Sequence, residues 1–71
     1  MRLRIDPAAL RDDLLEFLRA SGCLAVTEGS DVIETQLLNS VSDRHDRAVL
    51  AGLVESWSAR HSEARVDVAS R

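Results

Sequence analysis

An α+β fold, one four-stranded antiparallel sheet with two helices on a single face, is predicted for this 71-residue chain. Three features predict it. Two stretches place apolar residues at helical spacing, several short stretches alternate apolar with polar residues, and Gly, Ser and Asp punctuate the joins.

The elements follow in order. In "RLRI", residues 2–5, Leu3 and Ile5 point one way and Arg2 and Arg4 the other, which predicts a strand. Asp6 is the expected N-cap of a helix over 7–21, with Pro7 at its first position, where a missing N–H costs nothing. Leu10, Leu14, Phe17 and Leu18 form the stripe of that helix. Asp12, Asp13 and Glu16 lie on its wet side, with Glu16 and Arg19 at pairing distance and Gly22 at the stop. Two extended runs, 23–27 and 32–38, flank the turn residues "EGSD" and predict a hairpin. In the first run Leu24 and Val26 are expected inward, with Cys23, Ala25 and Thr27 opposite; in the second Ile33, Thr35 and Leu37 share the inner face. A second helix is expected over 43–61, capped by Ser42 or Asp43, with Leu50, Leu53, Val54, Trp57 and His61 along its stripe. A last strand, 64–69, turns Val66 and Val68 inward and Arg65 and Asp67 outward, and the tail 70–71 is expected to fray. Leu15, Val32, Leu38 and Val41 fall off these stripes.

The order is β–α–β–β–α–β in one domain spanning 1–71, the split βαβ arrangement of the ferredoxin-like fold. Right-handed crossovers put both helices on one face, the strands 2–5 and 32–38 in the centre, and 23–27 and 64–69 at the edges. Leu3, Ile5, Leu24, Val26, Ile33, Leu37, Val66 and Val68 then form the expected sheet side of the core.

The composition narrows the function classes. Twelve acidic residues face nine basic ones, all Arg and scattered from Arg2 to Arg71, so no basic stripe marks a nucleic-acid binder. The sheet positions that stack bases in RNA-recognition modules carry Arg, Glu and Gln, and the aromatics Phe17 and Trp57 fall on helix stripes. No apolar run reaches the length of a membrane span or a signal peptide. One cysteine, Cys23, fits a reducing compartment, and the cytoplasm is the expected location.

Catalytic chemistry is thin. His45 and His61 lie too far apart on one expected helix to share a metal, and neither has a nucleophile at triad spacing. His45 with Asp43 or Asp46 is an acid–base pair in composition only. Asp12, Asp13 and Glu16 read as a solvated helix face, Cys23 as a small strand residue, and Gly29 as a turn residue without a phosphate-cradling loop. No enzyme activity, cofactor or metal is expected.

What remains is surface. Arg2, Arg4, Glu34 and Gln36 converge on the helix-free face, where the arginines are expected to meet Glu34 across the strand pair, with Arg65 and Asp67 alongside. The strand 23–27 is an edge without Pro or Lys to guard it, open to edge-to-edge pairing, and Cys23, Ala25, Val32 and Leu38 form a homodimer contact if the fold brings them together. So small a domain gains from association. The expected function is a non-enzymatic interaction or regulatory module, binding itself or another protein; the alternative is a small-ligand sensor at a sheet or dimer interface. "RLRIDPAALRDDLLEFLRASGC", a short hairpin and a Trp-bearing helix together resemble small uncharacterised bacterial proteins from GC-rich genomes. That resemblance covers most of the chain and implies a compact α+β domain, with no catalytic or binding residues to carry over.

Overall fold

The computed structural model describes residues 1–38 and 42–69, of Ala69 the backbone alone; Val41 and the tail 70–71 lie outside the described residues. The elements are β1 (Arg2–Asp6), α1 (Arg11–Ala20), β2 (Cys23–Thr27), β3 (Val32–Leu37), α2 (Asp43–Ala59) and β4 (Arg65–Ala69). They build one antiparallel sheet in the order β2-β3-β1-β4, with both helices on one face, which is the ferredoxin-like arrangement.

The first helix starts later than expected. Asp6 is the last residue of β1, paired with Arg65, so its backbone is extended and it caps nothing. The Asp6–Pro7 peptide is cis, and Pro7 has φ −79° and ψ 153°, outside the helical region. A 3-10 turn over Ala8–Leu10, closed by Leu10 N–H donating to Pro7 O at 3.1 Å, delivers the chain to α1 at Arg11. The ends signalled by Gly22 and Ser42 stand as read. Gly22 sits at φ 92°, a left-handed geometry that side chains resist. Ser42 Oγ accepts from His45 N–H at 3.2 Å, with Asp43 and Asp46 in the first turn of α2.

The inner face of β2 is the reverse of the expected one. Cys23 and Ala25 are buried at 5 % and 4 % exposure, whereas Leu24 and Val26 stand 50 % and 52 % exposed on the helix-free face. The hairpin loop is the cause. Glu28 N–H donates to Val32 O at 2.9 Å, so Glu28 faces Val32 and three residues, not four, turn the chain. Cys23 then faces Leu37, Ala25 faces Thr35, and Thr27 faces Ile33. A one-residue change of register moves every side chain of a strand to its other face. The arrangement suits the helix above, because the small Cys23 and Ala25 let α1 approach β2 closely.

The core joins Leu3, Ile5 and Ile33 from the sheet to Leu14, Leu15, Leu18, Leu50 and Trp57 from the helices. Leu15 is thus inside, while Leu10 and Phe17 are only half-buried. Leu53, Val54, Leu37 and Val66 pack around this centre. Val68 lies on the helix side opposite Leu3, yet is 58 % exposed on the edge strand β4.

Candidate interaction surface

The helix-free face is laid out by the strand registers. Arg2 lies opposite Glu34 and Arg4 opposite Val32 across β1 and β3, Leu24 opposite Gln36 and Val26 opposite Glu34 across β2 and β3, and Arg4 opposite Asp67 on the other side. Arg2, Arg4, Glu34 and Gln36 therefore share one face. The charges pair differently from the expected pattern. The N-terminal ammonium of Met1 takes Glu34 Oε2 at 3.0 Å and also donates to Thr35 O at 2.8 Å. Arg2 instead reaches Glu28 at 2.9 Å, and Arg4 approaches Asp31 at 3.9 Å. An ammonium already beside Glu34 leaves the longer guanidinium arms to the loop carboxylates. The flipped β2 adds Leu24 and Val26 to this face, so it is mixed, apolar at one margin and charged at the centre.

The expected homodimer contact does not form a surface. Cys23 and Ala25 are buried on the helix side, whereas Val32 lies opposite Arg4 on the other face and Leu38 is exposed, so the four do not share one surface. The β2 edge is also guarded. Arg19, expected to pair with Glu16, donates its Nε to Ala25 O at 3.0 Å from the last turn of α1.

A second polar cluster ties the helices together. Trp57 Nε1 donates to Asp13 Oδ2 at 3.1 Å, and His61 Nε2 lies 3.0 Å from the same oxygen. The His61 ring stacks on Trp57 at 4.0 Å and an interplanar angle of 13°, while its Nδ1 meets Trp57 O at 2.9 Å. Both ring nitrogens thus face oxygen atoms, one on each neighbouring element. Asp12 is held separately by Arg11, at 2.9 Å, so the acidic residues of α1 do not act as a group. The cluster closes one end of the helix pair, and its reach of 44 residues from Asp13 to Trp57 left no local signal in the sequence. Among the described residues no group of three or more His, Cys, Asp or Glu side chains is placed to hold a metal ion.

Burial pushes the Cys23 thiol above its ordinary value of 9.0, a hydrogen bond with Thr35 offsetting part of the rise. Thr35, itself buried, donates its hydroxyl to Leu24 O at 2.8 Å. The folded chain holds the thiol proton more tightly than the unfolded chain. This contribution to stability is therefore complete below pH 9.0 and is lost as pH rises further, through the folded-state value. Urea midpoints measured on either side of that pH are expected to fall on the alkaline side for the parent and to fall less for Cys23→Ala.

No helix among the described residues is long and apolar enough to cross a membrane. Comparison with protein-family models, with curated proteins and with solved structures gives no match for this chain.

Proposed function

We propose that the protein is a non-enzymatic interaction module that associates with a second copy of itself and offers its open sheet face to a partner protein. One observation carries this reading. In so small a chain, large apolar side chains stand half-exposed at both margins of the sheet, Leu24 and Val26 on β2 and Val68 on β4. A domain of this size buries too little surface for ample stability, and association is the remedy open to a chain with a single cysteine. The face itself interleaves Arg2, Arg4, Glu34 and Gln36 with Leu24 and Val26, the mixed character of a non-obligate interface. The unpaired, buried Cys23 supports a reducing compartment such as the cytoplasm. Sedimentation velocity over the micromolar range tests the association: a weight-average mass that climbs from monomer to dimer is expected, and a monomer at every concentration overturns the reading.

A further inference from the structure

We infer that a second copy of this chain extends the sheet along β4, antiparallel and centred on Val66, so that Arg65 of each copy faces Asp67 of the other. The inference rests on the self-association reading above and supplies its seam.

The two sheet edges are not equivalent. On β2, the bond from Glu28 to Val32 turns Leu24, Val26 and Glu28 toward β3, and Cys23, Ala25 and Thr27 away from it. The central outward carbonyl, Ala25 O, is already occupied by Arg19. On the other side of the sheet, Ile5 N–H donates to Asp31 O and Thr35 N–H to Met1 O, both at 2.8 Å, which turns the odd residues of β1 toward β3. The even ones, Arg2, Arg4 and Asp6, bond to Ala69, Asp67 and Arg65. That leaves the N–H and C=O groups of Val66 and Val68 pointing away from the sheet, with no hydrogen-bond partner among the described residues. No such guard lies across β4 among the described residues.

The residues of this edge select their own partner and register. Arg65 and Asp67 stand on the helix-free face and make no ion pair among the described residues. A twofold axis through Asp67 would set Asp67 against itself, a like-charge pair that destabilises a ladder. A twofold through Val66 sets Val66 against Val66, brings Arg65 opposite the other copy's Asp67 at both ends, and lays Ala64 against the other copy's Val68 on the helix side. The run Ala64-Arg65-Val66-Asp67-Val68 is self-complementary in that register alone. It also covers Val68, an apolar side chain exposed in the monomer.

Arg65→Glu and Asp67→Lys test the seam. Each variant alone places like charges at both ends, and its dimer is expected to be at least about tenfold weaker than the parent's. An equimolar mixture brings opposite charges together again at both ends and is expected to recover the dimer by sedimentation. In the unaltered protein, Val66 and Val68 amides are expected to exchange slowly when concentrated and quickly when dilute, a readout that needs no variant to fold. A parent dimer that both variants match, or Val66 and Val68 exchange that ignores concentration while the protein dimerises, overturns the seam and leaves self-association standing. A parent that is monomeric throughout overturns both.

Discussion

Trp57→Ala is expected to leave the chain largely unfolded at room temperature. The indole is 1 % exposed at the centre of the core, and truncating such a side chain costs about 3–5 kcal/mol through lost burial and the cavity left behind. Here the loss is compounded. Asp13 forfeits the Nε1 donor at 3.1 Å, and His61 forfeits the ring on which it stacks at 4.0 Å. A domain below roughly 80 residues draws only about 3–5 kcal/mol from its core, so one such change removes most of the margin. Trp57→Phe separates the contributions, since it keeps an aromatic filler and deletes the hydrogen bond; an intermediate loss is expected. Circular dichroism melts check both. A cooperative transition for Trp57→Ala at the parent's midpoint would contradict the packing described above.

Ala25→Asp is expected to be nearly as damaging, and Val26→Asp nearly harmless. Ala25 is buried on the helix side of β2, where a carboxylate loses its water; an uncompensated buried charge costs roughly 3–5 kcal/mol, and Arg19, already bonded to Ala25 O at 3.0 Å, offsets only part of that. Val26 stands on the wet face opposite Glu34, so an aspartate there adds only like-charge repulsion across the strands, about 0.2–1 kcal/mol. The pair is diagnostic because hydropathy alone ranks the two positions the other way round. Urea midpoints for the two variants decide it: a Val26→Asp that unfolds while Ala25→Asp stands would return β2 to the opposite phase.

That reversal shows where the sequence was legible. The alternation in β1 and β3, the stop at Gly22 and the cap at Ser42 are local signals, set by a few adjacent residues, and the element order follows from them. The facing of β2 is not local. It depends on whether three or four residues turn the hairpin, and "EGSD" permits either, with Leu24 and Val26 supplying a misleading hydrophobic alternation. The beginning of α1 misled for a related reason: Asp-Pro reads as cap and first turn unless one knows that Asp6 is already held by Arg65 in the sheet. On the open face, Arg2, Arg4, Glu34 and Gln36 could be brought together from strand parity. Their partners could not, because long side chains choose among carboxylates that only the folded loop brings near. The Arg19 contact with Ala25 O and the Asp13–Trp57–His61 cluster belong to the same category, being set by how α1 lies on its neighbours.

The chain holds one tryptophan, and the fold places it where both helices meet. Its fluorescence is therefore a gauge of helix docking with no background from other indoles. A docked ring in dry surroundings emits at short wavelength, and the imidazole stacked on it is a potential quencher, so colour reads burial while brightness reads the His61 contact. The two signals would separate a loosening of the polar clasp from a loss of the core, without any added label.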